Sequence, residues 1–321
     1  MKLVVLLVFL LFSFGHSYTN FIHLLGYALN AGILTTYNTT NVNGCGTECA
    51  LTTNCTAFQI IHATGECNLL TMLRNYYFDS SQCEYYLKRS PGVTVTNRTL
   101  TSDMDVVFQN AVYDSQGPCP LGWTILTNVC YLNVPKNTCY EFAPFLEPRY
   151  DFACMIPLMI VDYNCPESTY KLGNYTDGHF CIKVIPKWSD DAVLGNMKPY
   201  DFANQYCYNQ TGGYLASIHS KAENNDINTI QQNLEETNPG VMIGLIANSS
   251  SLANTDDMYW LDGTGISYTN YAGNSKSDVF TYTLMTLNGQ WKITMDSTVA
   301  KTLFKYIACK QNAVATMTKK H

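Results

Sequence analysis

The sequence predicts an α+β protein made of disulfide-stapled domains, and three observations carry that prediction. Thirteen cysteines in 321 residues all follow an apolar leader. Short apolar/polar alternations such as Thr56-Ala-Phe-Gln-Ile-Ile61 read as half-buried strands. Between residues 199 and 234, helix, half-cystine, glycine turn, strand and helix signals follow one another within a few dozen residues.

In the leader, Lys2 precedes the apolar run Leu3 to Phe12, and Gly15-His16-Ser17 places small residues at the minus-three and minus-one positions of a cleavage site. Residues 1–17 therefore read as a secretory signal peptide. The run is shorter than the ~20 apolar residues that span a bilayer, and no later stretch is long and apolar enough to do so. The ending Lys319-Lys320-His321 is polar. The expected location is outside the cell, with no membrane span. The net charge is −6 and becomes one unit more negative when Lys2 leaves with the leader. With no Lys/Arg stripe, nucleic acid and anionic membrane are not expected partners.

Cysteines behind a signal peptide imply an oxidising compartment and a disulfide framework. Zinc is the weaker reading, because no Cys-x-x-Cys pair occurs and the six histidines are scattered. An odd count leaves one thiol unpaired or engaged between chains. Sequons at Asn38, Asn54, Asn97, Asn174, Asn209 and Asn248 predict a glycosylated surface. Asn54 and Asn209 lie beside half-cystines.

Residues 18–90 form the first domain. Cys45 and Cys49 are four apart and share one side of a helix. The strand at 56–61 follows, a turn at Ala63-Thr-Gly-Glu66 returns the chain through Cys67-Asn-Leu-Leu70, and Tyr85-Tyr86-Leu87 closes the sheet. The pattern Cys-x3-Cys-x5-Cys-Thr-Ala-Phe-x8-Cys-Asn-Leu resembles the PAN/apple family, in the small form joined to C-type lectin-like domains of nematode secreted proteins. The resemblance implies pairing of Cys45 with Cys67 and of Cys49 with Cys55, leaving Cys83 without a partner in the domain. A disulfide-stapled α+β module unrelated to that family is the alternative.

Residues 91–164 read as linker and connecting segment. Pro91 to Pro118 is rich in Thr, Asn and Asp and shows little helical periodicity. Cys119-Pro-Leu-Gly-Trp123 followed by Cys130-Tyr131 looks like an opening hairpin, and Cys139 and Cys154 bracket a proline-containing loop.

The second domain, 165–310, is the more legible. Pro199 suits a first helical turn, and Phe202, Ala203, Tyr206 and Cys207 share a face. Gly212-Gly213 turns the chain into a strand, and Ser220-Lys-Ala-Glu223 is a capping box opening a second helix. Ile227, Ile230 and Leu234 form its apolar stripe. Met242-Ile-Gly-Leu245, Tyr259-Trp-Leu-Asp-Gly-Thr264, Gly289-Gln-Trp291 and Tyr306-Ile-Ala-Cys309 follow in order. Together these resemble a long-form C-type lectin-like domain. The resemblance implies a whole-domain bridge Cys207–Cys309 and an extra amino-terminal bridge Cys165–Cys181, with residues 311–321 as a polar tail. It also implies that Trp260 and Trp291 are core residues.

In that family, calcium is held by a Glu-Pro-Asn or Gln-Pro-Asp triplet and an Asn-Asp pair after the tryptophan, all hard oxygen donors. Here no proline follows Pro239, and the tryptophan is followed by Lys292-Ile293. The expectation is no cofactor and no metal, with no calcium at the usual lectin site. Asn274, Asp278 and Asp296 are oxygen donors remaining in this stretch, more readily solvated loop residues than ligands. Tyr268 and Tyr271, with Asn274 and Asp278, are the candidate ligand-contact residues of the long loop.

Catalysis finds no support: there is no Gly-x-Ser-x-Gly, His-Glu-x-x-His or phosphate loop. Asp256-Asp257 reads as a turn, and His179 and His219 as structural. The expected function is a secreted recognition protein binding carbohydrate or glycoconjugate. The alternatives are an extracellular protein–protein module and a passive matrix component.

Overall fold

The computed structural model describes residues 20–79, 81, 83–114, 116–150, 153–189, 197–234, 240–247, 258–272, 281–295 and 304–320. The expected signal peptide lies outside them. Two compact units emerge, one from Thr19–Asp162 with Val314–His321 and the other from Tyr163–Ala313.

In the first unit, β1 (Phe21–His23), β2 (Tyr27–Tyr37), β3 (Ala57–Ile61), β4 (Glu66–Phe78) and β5 (Cys83–Lys88) form an antiparallel sheet in the order β1-β5-β3-β4-β2. Helix α1 (Val42–Leu51) starts on the Asn41 side chain, which accepts from the amides of Asn43 and Gly44. It turns Cys45 and Cys49 into the core. The Cys45–Cys67 bond ties the helix to β4, and Cys49–Cys55 ties it to the turn before β3. The Phe58 ring stacks on Tyr86 at 4.7 Å and meets Phe21 edge-on at 5.0 Å. β5 lies between β1 and β3 instead of closing the sheet, since β1 takes its outer edge. Among the described cysteines only Cys83 is free, and it is half-buried.

The stretch expected as a linker is structured. It contains β6 (Val93–Val95) and helix α2 (Asp103–Val112), whose capping box joins Ser102 and Asp105. Met104, Phe108, Ala111 and Val112 recur at helical spacing and are buried. The polar flanks mask this apolar face in the sequence. Beyond it, β7 (Thr124–Leu126), β8 (Val129–Leu132), α3 (Lys136–Cys139), β9 (Arg149–Tyr150) and β10 (Cys154–Pro157) build a small sheet in the order β7-β8-β10-β9. The bonds Cys119–Cys130 and Cys139–Cys154 staple it. β11 (Met159–Asn164) follows.

The chain end is not a polar tail. Val314–Lys319 is a strand lying between β11 and β6 and parallel to β6. Ala315 and Met317 alternate inward and are fully buried, which is why a segment of polar appearance is retained.

The second unit contains β12 (Lys171–Tyr175), β13 (Gly178–Pro186), α4 (Pro199–Thr211), β14 (Tyr214–Leu215), α5 (Lys221–Gln232), β15 (Gly240–Ala247), β16 (Met258–Trp260), β17 (Thr281–Met285), β18 (Trp291–Met295) and β19 (Phe304–Asn312). The strands make one sheet with the main path β12-β13-β19-β15-β17-β18; β14 joins β19 and β16 joins β15. Cys165–Cys181 staples the entry to this sheet, and Cys207–Cys309 joins α4 to β19. α4 ends at Gly212, whose φ of 75° is the left-handed cap that favours glycine. At Gly213 a Cβ would lie 2.4 Å from the Lys310 carbonyl oxygen, so only glycine lets β14 approach β19.

α5 departs from its expected stripe. Glu223, Asn224, Ile227 and Gln231 are its buried residues, while Ile230 and Leu234 are only half-buried. The capping box is likewise re-aimed. Ser220 accepts from the Glu223 amide as expected, but the Glu223 carboxylate accepts from the amide of His219 instead of Ser220. A polar helix face is therefore buried, and each of its members needs a partner.

Candidate recognition surface at the long loop

The strand β18 shows how the surface is set. Trp291 is fully buried, Lys292 is exposed, and Ile293 is only 6% exposed within the core. This is ordinary strand alternation, and it gives the two positions after the tryptophan to an ammonium and a core methyl group. The Trp291 indole N–H donates to Asn224 Oδ1 at 2.7 Å, and Asn224 Nδ2 donates to the Gly289 carbonyl at 3.0 Å. One buried carboxamide thus fastens α5 to the β17–β18 hairpin. Sequence reasoning missed Asn224; its signal was an amide at i−3 from Ile227 on the inward face of α5.

From β16 the chain enters the long loop. Trp260 is fully buried and meets Trp291 edge-on at 5.6 Å. Tyr268 and Tyr271, expected as surface contacts, pack edge-on against Trp291 at 5.6 and 5.7 Å. The Tyr271 hydroxyl donates to the sulfur of Met258 at 2.9 Å, and burial pushes its pKa up to about 12. Burial also raises the Tyr268 phenol. Both rings are half-buried parts of the loop's inner wall. An aromatic in a loop that adjoins a buried tryptophan pair gains from covering it. Asn274, Asp278, Asp296 and the Asp256-Asp257 pair lie outside the described residues.

The arm is sewn down at its far end as well. Asn270 Nδ2 donates to the Gly289 carbonyl, the Trp291 amide to the Asn270 carbonyl, and the Ala272 amide to the Trp291 carbonyl. Gly265, Ser267, Thr269 and Lys292 remain exposed around it. Such a face offers neutral hydroxyls and one cation, which suits hydrogen bonding to polyols. Among the described residues, no group of three or more His, Cys, Asp or Glu side chains is placed to hold a metal ion.

A helix carrying a half-cystine, a Gly-Gly turn, a capped second helix and a bridge back to the last strand thus enclose a core with two tryptophans and a long loop. Residues 196–306 match the family model described as the lectin C-type domain. That match covers about a third of the chain. The unit has a C-type lectin-like fold with mixed helix and strand. Among solved structures, human lithostathine is similar at 18% identity, covering 46% of this chain and 99% of its own, with a TM-score of 0.33. The C-type lectin CEL-I from Cucumaria echinata gives 17% identity, 49% and 100% coverage and a TM-score of 0.33. An SPL-1–GlcNAc complex gives 15% identity, 46% and 95% coverage and a TM-score of 0.33. No curated protein sequence matches the chain.

In the lectin-like domain the sequon asparagines Asn174 and Asn209 are exposed; in the first unit so are Asn38, Asn54 and Asn97. Asn248 lies outside the described residues. No helix among the described residues is long and apolar enough to cross a membrane.

Proposed function

We propose that this is a secreted, glycosylated recognition protein whose lectin-like domain binds carbohydrate through the long-loop face, without calcium at the site usual for the family. The observation that carries the reading is the arrangement on β18. The domain keeps a tethered loop with exposed hydroxyls, yet Lys292 points outward and Ile293 fills the core where the family resemblance calls for two oxygen donors. An ammonium repels a divalent cation, and a buried isoleucine supplies no lone pair. The residues present do not fit a calcium ion there, so sugar hydroxyls would be met by protein groups alone. The role is binding, not catalysis. Six disulfides support an extracellular setting, and a helix pinned by two bonds across a five-stranded sheet supports a PAN/apple-like first module.

A glycan array run with and without chelator tests this. Binding to a defined set of glycans that survives chelation is the expected result. Binding abolished by chelator would overturn the calcium-free reading, and a blank array would overturn carbohydrate recognition. A protein ligand for the first unit is the second reading, favoured by Tyr77 and Phe78, which end β4 at 53% and 68% exposure.

A further inference from the structure

The arm of the long loop has a polar clasp at its start, and the clasp centres on His219. Thr264 receives two constraints there. Its hydroxyl donates to Asp262 Oδ1 at 2.6 Å, and the same oxygen lies 3.0 Å from His219 Nε2. A hydroxyl has one proton to give; with that proton on the carboxylate, Thr264 accepts from His219, which assigns a proton to Nε2. Ser267 closes the other side. Its hydroxyl lies 3.4 Å from His219 Nδ1 and 3.2 Å from the His219 carbonyl oxygen. The imidazole thus spans residues 264 and 267 while its ring edge meets Trp260 at 5.9 Å.

His219 is itself anchored from behind. Its amide donates to Glu223, and the other Glu223 oxygen is held by the buried Lys310 ammonium at 2.6 Å. Ile218, one residue earlier, is fully buried. The backbone under the imidazole is consequently fixed by the last strand and the second helix, whereas the imidazole reaches a loop with exposed Gly265 and Ser267. A residue fixed at its root, with its ring bonded to Thr264 and its carbonyl bonded to Ser267, sets loop position against Trp260.

We infer that His219 is a positioning residue for the ligand-facing loop, holding 262–267 in register so that the following residues are presented to a carbohydrate. This inference rests on the recognition reading above, and its test separates the two. Hydrogen exchange of the amides at 264–268 is measured in the full chain for the wild type, His219→Ala, Thr264→Val, the double variant and His219→Gln. Exchange is expected to speed up about tenfold in either single alanine or valine variant, with a less than additive gain in the double variant, because both remove the His219–Thr264 bond. Glutamine keeps one donor and is expected to restore most of the protection. Unchanged exchange in both single variants, or additive effects in the double, would overturn the clasp. Thr264→Val removes the loop hydroxyl and its bonds to Asp262 and His219 without touching the backbone under the imidazole, and it keeps the test valid should His219→Ala fail to fold. Glycan-array binding is read on the same set. Faster exchange with loss of glycan binding supports the positioning role. Faster exchange with unaltered glycan binding overturns it and leaves carbohydrate recognition intact at another surface, whereas a blank wild-type array beside the tenfold effect counts against carbohydrate recognition alone and leaves the clasp standing.

Discussion

The Lys310 ammonium lies 2.6 Å from Glu223 Oε1 with both side chains buried, joining the last strand of the lectin-like domain to its second helix. The ammonium also donates to the Ser217 carbonyl at 3.1 Å and sits 4.0 Å from the Phe180 ring centre. The carboxylate's second oxygen is taken by the His219 amide. A buried pair of this kind adds little to stability as a whole, but losing Lys310 strands the Glu223 carboxylate, whereas losing Glu223 leaves the ammonium with Asp177 at 4.0 Å.

Lys310→Met is accordingly expected to destabilise the domain by about 3–5 kcal/mol. Glu223→Gln should cost several kcal/mol as well, and the double variant less than the sum of the two. Urea unfolding of the three variants checks this, and additive losses would contradict the pairing.

Asn224 joins Trp291 to Gly289, and replacing it leaves the buried indole N–H unpaired, while the Gly289 carbonyl keeps its bond from Asn270. Asn224→Leu should cost about 1–3 kcal/mol and alter tryptophan fluorescence in the native state. A variant as stable as wild type would show that the bond contributes nothing.

The bond Cys207–Cys309 closes a loop with a sequence separation of 102. Loop-closure entropy assigns a loop of about 100 residues about 4.7 kcal/mol. Replacing both cysteines by serine should therefore lower the melting temperature of this domain more than replacing Cys165 and Cys181, whose separation of 16 corresponds to about 3 kcal/mol. Calorimetry on the two double variants decides the order.

Asp105 gives a pH prediction. Burial works to raise its carboxyl, but donors on Tyr76, Thr101 and Ser102 outweigh it and hold the group below the usual carboxylate range. A depressed folded value means that the contribution is fully present above the unfolded value of about 3.9 and is lost as pH falls through the folded one. Between pH 7 and strong acid the wild type should lose more stability than Asp105→Asn, measured by denaturant unfolding across that range. Parallel curves would refute the assignment.

Calcium supplies the last test. A ligand at a hundred times its dissociation constant stabilises by about 2.7 kcal/mol, so a working site would raise the melting temperature visibly. Millimolar calcium is expected to leave it unchanged. A rise of several degrees that Asp278→Asn abolishes would establish a cation site in the long loop.

Local chemistry made much of this architecture readable before any coordinates. The Ser220 capping box, Pro199, the Gly212-Gly213 turn and paired cysteines four apart all act within a few residues, and so the helices α1, α4 and α5 are legible. Helix α2 was equally local, with Met104, Phe108 and Ala111 at helical spacing, yet its acidic flanks read as linker. Partner choice across long separations was not legible. The strand at Val314–Lys319 pairs with β6 more than two hundred residues earlier, and nothing in its own residues names that neighbour. Tyr268 and Tyr271 pack against the Trp291 ring, and Glu223 is shared between the His219 amide and Lys310, partners that lie far apart in sequence. The sequence by itself determined where helices α1, α4 and α5 lie, that the cysteines form a disulfide framework and which residues bring charge. The tertiary structure alone decided which side chains face one another, because burial is a free energy shared between partners that come from different parts of the chain.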